Sequence, residues 1–251
     1  SGIPGEEHMK TLFLLYGLFC YLTFLLVFLY TIGFVGNFLV PKTMDSGTDV
    51  YWLTATATNI GLLGIFALQH SVMARQKFKL WWTSLIPEVV ERSTYVMATN
   101  VALIALIYFW KPVNIIVWDV SGEPYVPVIW GICAIGWLIV LISTFLLDHF
   151  ELFGLKQVYC NFRGKRMENI PFRTPLFYKY VRHPIYFGFA VAFWATPTMT
   201  AAHLLFAVGA TGYSVLGALL EERDLVNQFR NDYQEYQKKV PMLFPRIGTK
   251  K

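Results

Sequence analysis

The sequence predicts an all-α, polytopic membrane protein with five to six transmembrane helices, a C-terminal helical hairpin among them, and a cytoplasmic helix at its C-terminal end. Three observations carry that expectation. The chain is 55% hydrophobic and only 15% charged, with a mean hydropathy of +0.46, a balance foreign to water-soluble domains. Lys, Arg, Asp and Glu are absent from five long runs, 11–41, 50–74, 93–110, 124–147 and 185–220. Of the 21 Lys and Arg residues, all but Lys42 and Lys111 fall in segments that one topology places on the same side of a bilayer.

Residues 1–8, SGIPGEEH ahead of Met9, read as a tag remnant, and 9–251 as a single membrane domain. The run 11–41 is far too long for a signal-peptide core and reads as a retained span. The next three runs, 50–74, 93–110 and 124–147, each suit one crossing of a hydrocarbon layer about 30 Å thick. The fifth, 184–220, is longer. Its 36 charge-free residues from Ile185 to Leu220 would reach roughly 54 Å as helix. Pro197, within Ala195-Thr-Pro-Thr-Met199, marks a reversal near the middle, so the segment reads as a hairpin whose ends return to one face.

An N-terminus in the cytoplasm puts Lys10, the 75–92 and 156–182 loops and the tail from Arg223 on the inner side. The outer connections, 42–49 and 111–123, are short, so chemistry is expected at the cytoplasmic end. The tail, 222–251, reads as one helix from Arg223 to Val240, with Leu225, Phe229, Tyr233 and Tyr236 at three- and four-residue spacings. It is expected to lie on the inner surface as a lid, ended by Pro241.

Several classes are disfavoured. Cys20, Cys133 and Cys160 are scattered, and His70, His149, His183 and His203 are too dispersed to hold a metal, so no metal site is expected. The formal charge of +5 sits beside apolar spans, which suits a lipid bilayer surface and not a nucleic acid. No internal repeat suggests a transporter, and no obligate protein partner is signalled.

The chemistry-bearing residues gather at the hairpin's two ends. Pro184 can open a helix, which leaves Arg182 and His183 at a helix N-terminus suited to an anionic group. Tyr186 offers a ring or a hydroxyl, and Gly188 permits close backbone approach. The hairpin returns Glu221 and Glu222 to the same level, where water is scarce and each charge needs a partner or a ligand.

RHPIYFG (182–188), the apolar hairpin, EERDL (221–225) and Tyr233-Gln-Glu-Tyr236 followed by Val240-Pro241 resemble the membrane methyltransferases typified by isoprenylcysteine carboxyl methyltransferase and the phospholipid N-methyltransferases. Leu68-Gln-His-Ser-Val-Met-Ala-Arg75, Glu91-Arg-Ser-Thr-Tyr95, His149-Phe-Glu-Leu-Phe-Gly154 and Lys156-Gln-Val158 look like a bacterial branch of that superfamily, the methanethiol S-methyltransferases. They also look like the membrane proteins associated with nitrite and nitric oxide reductases. The resemblance implies S-adenosylmethionine as cofactor. It implies a pocket built from Gln157, Val158, Tyr180, Arg182, His183, Pro184, Tyr186, Gly188, Glu221 and Glu222.

The expected acceptor is a small thiol, methanethiol giving dimethyl sulfide, in a bacterial inner membrane with the active site facing the cytoplasm. A lipid-linked carboxylate or amine acceptor stays open, as does a non-enzymatic membrane accessory role in nitrogen-oxide metabolism. A neutral thiol is a poor nucleophile, so a thiol acceptor calls for a base or a nearby cation. His70 is the candidate base, Arg75 the electrostatic helper and Tyr95 a competing hydroxyl, all near the cytoplasmic ends of spans two and three. Asp148, His149 and Glu151 either line the pocket or solvate a helix terminus, the second reading being favoured, and Trp81 and Trp82 read as interface markers.

Overall fold

Ten helices and two short strands make up the described residues of the structure, a computed structural model. These are residues 4–48, 50–167 and 172–245. Parts of four expected features lie outside them: residues 1–3 of the tag, Asp49 of an outer connection, 168–171 of the 156–182 loop and 246–251 of the tail. In chain order the elements are α1 (Pro4–Gly36), α2 (Trp52–Ala74), α3 (Gln76–Trp82), α4 (Glu88–Phe109), β1 (Ile116–Asp119), α5 (Val126–Leu147), α6 (His149–Leu152) and α7 (Leu155–Phe162). A 3-10 turn (Leu176–Lys179), α8 (Pro184–Trp194), β2 (Thr198–Thr200), α9 (Ala201–Phe229) and α10 (Asn231–Lys239) complete the chain. Five helices, α1, α2, α4, α5 and α9, are long and apolar enough to cross a membrane. The protein is therefore an all-α integral membrane protein. It divides into two compact units, 1–113 with 148–169, and 114–147 with 170–251.

In the first unit α4 packs against both α1 and α2, and α7 against α1. The far sides of these helices stay apolar and exposed, as at Leu26, Ile65 and Leu68, which suits lipid contact. Polar ties at one end of the spans hold them together. Asn59 of α2, fully buried, donates from Nδ2 to the Lys111 carbonyl at 2.7 Å and accepts from the Lys111 amide at 2.9 Å. Lys42 Nζ donates to the carbonyls of Ser46 (3.1 Å) and Trp110 (3.0 Å). Of the two lysines that the charge bias sets apart, Lys42 thus fastens with its ammonium and Lys111 with its peptide groups. At the other end Ser93 sits where a Cβ on Gly154 would come within 2.6 Å of its amide, and Gly154 holds a left-handed φ of 85°.

The second unit is built on a seam between α5 and α8. A Cβ on Gly188 would meet the Gly136 carbonyl oxygen at 2.7 Å, and one on Gly136 would meet the Ala192 amide at 2.6 Å. Paired glycines let the two backbones touch, the usual device where lipid removes the hydrophobic drive between helices. Trp137 closes the seam edge-on against Phe189 and Phe193.

The hairpin differs from a symmetric pair of spans. Its first arm, α8, has 11 residues, about 16 Å of rise and well short of a crossing. The chain then spends its apolar residues on a ribbon. β2 pairs antiparallel with β1, and the Val120 amide reaches the Pro197 carbonyl at 2.9 Å. Thr200 caps α9 by accepting from the His203 amide at 3.1 Å. The His203 side chain, buried, bonds through Nε2 to the Phe193 carbonyl at 2.9 Å and ties the arms together at the turn.

The second arm, α9, does not stop at the charge boundary after Leu220 but runs on to Phe229. The single tail helix expected from Arg223 to Val240 is broken at Arg230, whose φ of 48° turns the chain into α10. The bend swings Tyr233 and Tyr236 onto Phe172, with ring centroids at 5.8 and 5.4 Å, and the Tyr236 hydroxyl donates to the Tyr178 carbonyl.

The seam makes a prediction. A valine at Gly188 meets backbone that cannot yield, so Gly188→Val should lower stability by about 1–3 kcal/mol in thermal or chemical unfolding of detergent-solubilised protein. Gly131→Ala, on α5 but with open space around it, should leave the transition in place.

Candidate functional site

Local sequence shapes the site first. Pro184 occupies the first position of α8, where its missing N–H costs no hydrogen bond, and His183 precedes it as the N-cap. The extended segment after α10 lies against this turn. The amides of Arg182 and His183 donate to the carbonyls of Pro241 (2.9 Å) and Met242 (3.1 Å). Glu221 and Glu222 are consecutive on α9 and point about 100° apart, so they cannot share one environment.

Glu222 faces inward. Its carboxylate takes Nε of Arg182 at 2.6 Å and Nη2 at 3.1 Å, a two-pronged pair, and also Nε2 of His183 at 3.1 Å and Nε2 of Gln237 at 2.7 Å. A carboxylate only accepts, so the His183 nitrogen facing it carries the proton. Arg182 spends its remaining nitrogen, Nη1, on the carbonyls of Gln237 (3.1 Å) and Val240 (2.5 Å). The side chains of Arg182 and Glu222 are 11% and 9% exposed, and each nitrogen of the guanidinium and both carboxylate oxygens have protein partners.

Glu221 faces outward and is 45% exposed. It accepts from the Tyr186 hydroxyl at 3.2 Å and lies 3.6 Å from Nδ1 of His183. The His183 and Tyr186 rings stack at 5.5 Å and 24°. A Cβ on Gly217 would come within 3.5 Å of the Tyr186 hydroxyl, so α9 offers that ring a smooth seat. Behind them burial holds the phenols of Tyr233 and Tyr236 well above their ordinary range, and the Tyr233 hydroxyl has no partner among the described residues.

The structure therefore brings Arg182, His183, Pro184, Tyr186, Glu221 and Glu222 together. Tyr180 is next to them in sequence and 65% exposed. Gly188 lies in the α5–α8 seam, and helix packing accounts for it without a ligand. Gln157 and Val158 belong to the first unit. There Val158 is fully buried where a Cβ on Gly17 would come within 2.4 Å of it, and Gln157 donates to the Glu151 carbonyl at 3.0 Å while its Oε1 is buried without a partner among the described residues.

The first unit also assembles two of the three expected catalytic residues. The Tyr95 hydroxyl is 2.9 Å from Nε2 of His70, and Thr99 Oγ1 is 3.2 Å from Nδ1. The Arg92 guanidinium lies 5.1 Å from the centre of the Tyr95 ring and donates to the Leu152 carbonyl at 2.7 Å. Arg75 hydrogen-bonds from Nε to the Ser71 carbonyl of its own helix at 3.3 Å.

The group expected to be a solvated helix end is more ordered than that. Asp148 caps α6, Lys156 bridges Asp148 and Glu151 at 2.5 and 2.8 Å, and its ammonium is held well above the usual lysine range by those two carboxylates. His149 is buried, bonded to the Tyr21 hydroxyl at 2.9 Å, and burial lowers its basicity. Among the described residues no cluster of His, Cys, Asp and Glu could hold a metal.

Sequence reasoning passed over Gln237, Thr99 and Tyr21. None stands in a motif; only the aromatic spacing of the tail pointed near the first.

Fold and site together define a polytopic membrane protein with a charged, hydrogen-bonded cluster where the two arms of a helical hairpin meet. No family model and no solved structure matches the chain. It is 50% identical to the methanethiol S-methyltransferase of Crocosphaera subtropica over 96% of this chain and 94% of that one. It is also 50% identical to that of Mycobacterium tuberculosis over 94% and 97%. Nurim of Homo sapiens is 32% identical over 69% of each chain. The chain belongs to the methanethiol S-methyltransferase family.

The two glutamates should separate on mutation. Glu222→Ala strands a buried guanidinium and should destabilise the protein by about 3–5 kcal/mol in unfolding experiments. Glu221→Gln, at the exposed neighbour, should leave the unfolding midpoint unchanged.

Proposed function

We propose that this chain transfers a methyl group from S-adenosylmethionine to methanethiol, giving dimethyl sulfide, at the cytoplasmic face of a bacterial inner membrane. Family membership supports the reaction. For the donor site one observation carries the reading: Glu221 stays open to ligand within a cluster whose other charges are already paired.

When bound, S-adenosylmethionine supplies a methyl group on a sulfonium. Glu221 would accept hydrogen bonds from the ribose hydroxyls or the ammonium group. The N-terminal end of α8, with Pro184 first, suits a carboxylate. Tyr186 and His183 offer a stacked ring surface, while Arg182, Glu222, Tyr180 and Gly188 fix the frame around it. Gln157, whose Oε1 is buried without a partner among the described residues, and Val158 are further proposed donor-binding residues.

For the acceptor, His70 is the proposed base. Its imidazole would take the thiol proton, with Tyr95 and Thr99 fixing the ring and Arg75 adding positive charge near the end of α2. A thiolate meeting a sulfonium loses charge as the methyl moves, so a dry surrounding favours the transition state once binding offsets desolvation. The reacting atoms need an in-line approach of about 3–3.5 Å. The skewed distribution of Lys and Arg supports the cytoplasmic side.

Purified protein supplied with S-adenosylmethionine and methanethiol should release dimethyl sulfide into the headspace, with larger thiols and prenylcysteine run in parallel. Donor binding without turnover on any thiol would overturn the acceptor, and absence of donor binding would overturn the site. In the same assay His70→Ala should lower kcat by about 10²-fold or more while the Kd for S-adenosylhomocysteine stays unchanged. A weakened Kd with normal kcat would remove His70 from the acceptor's side of the reaction.

A further inference from the structure

We infer that Gln237, on α10, is a positioning residue for methyl-donor binding: it fixes the Glu222 carboxylate and seats residues 237–242 over the Arg182–His183 turn, which reserves Glu221 for the ligand. The inference rests on the proposed donor site and assigns its parts. Arg182 and Glu222 hold the cover on, and Glu221 meets the ligand.

The geometry is a closed circuit. Gln237 gives its side-chain amide to Glu222 Oε2 at 2.7 Å and its backbone carbonyl to Arg182 Nη1 at 3.1 Å. The same residue thus touches both members of the ion pair. From it the chain continues through the Val240 carbonyl, also on Arg182 Nη1, to the Pro241 and Met242 carbonyls, which receive the Arg182 and His183 amides. Glu222 already has both oxygens engaged by Arg182 before Gln237 arrives. The added donor fills a remaining lone pair on Oε2, so a ligand hydroxyl or ammonium has no vacancy there and is directed to Glu221. Without the Gln237 amide, Glu222 regains an acceptor site and residues 237–242 lose their side-chain tie to α9. The segment would then be held to Arg182 by backbone carbonyls alone.

The experiment uses the full chain in detergent or nanodiscs, with S-adenosylhomocysteine as the binding probe and the headspace assay for turnover. Gln237→Leu keeps bulk and removes the donor. It should raise the Kd for S-adenosylhomocysteine, and the KM for S-adenosylmethionine, at least tenfold, with kcat at saturating donor within about twofold of wild type. Gln237→Glu, which sets a second carboxylate beside Glu222, should raise the Kd at least as much, and it decides by the same criterion if Gln237→Leu does not fold. The wild-type protein gives a reading that needs no variant. Lys238, 71% exposed, and Lys239 lie on the segment that would be fastened, so S-adenosylhomocysteine should slow tryptic cleavage after them. Variants with wild-type Kd, or cleavage indifferent to the ligand, overturn the assignment of Gln237. Wild-type protein that binds no S-adenosylhomocysteine overturns the donor site itself, a different failure.

Discussion

The second unit depends on one buried ion pair, Arg182 with Glu222. In surroundings this apolar, either charge alone would be costly, and the two together are acceptable because each guanidinium nitrogen and each carboxylate oxygen has a partner. That requirement shapes what surrounds them. His183 must present a protonated nitrogen, α10 must bring Gln237 within reach, and the chain after Val240 must lay its carbonyls along the turn. A pair that began as an electrostatic problem thereby fixes the position of the C-terminal segment.

The same rule of complete satisfaction explains the irregular backbone elsewhere. Between α8 and α9 the chain leaves helix, which an apolar surrounding tolerates only if peptide groups find partners. β1 supplies them, as does the Val120 amide on the Pro197 carbonyl. In the first unit Asn59 and Lys42 do the equivalent work where α4 ends, meeting the carbonyls of Lys111 and Trp110 that helix geometry leaves over.

Much of this was legible in the sequence. Charge-free runs marked the long helices because desolvating Lys or Glu costs more than any packing gain returns, and the RHP triplet and EE doublet marked the hairpin's meeting point. Other features were hidden for physical reasons. The run 185–220 is uniformly apolar, and hydropathy does not distinguish an 11-residue helix followed by a ribbon from a longer helix. The periodic Leu225, Phe229, Tyr233 and Tyr236 continue in phase across Arg230, and only contact with Phe172 on a distant segment shows why the chain turns there. Gly188 read as room for a ligand, whereas its neighbour is another helix's backbone. Gln237 carries no signal at all, since an uncharged amide in a charged tail becomes informative only when its partners are known.

α9 is keyed at both ends. His203 is locked to the Phe193 carbonyl, and Glu222 is locked to Arg182 and His183. A helix engaged this way is a shaft whose rotational phase is set twice. Deleting one residue between the two locks would turn one key about 100° out of its keyhole, pointing Glu222 where Glu221 had pointed. Side chains along the shaft can drift in evolution, but its length in residues cannot.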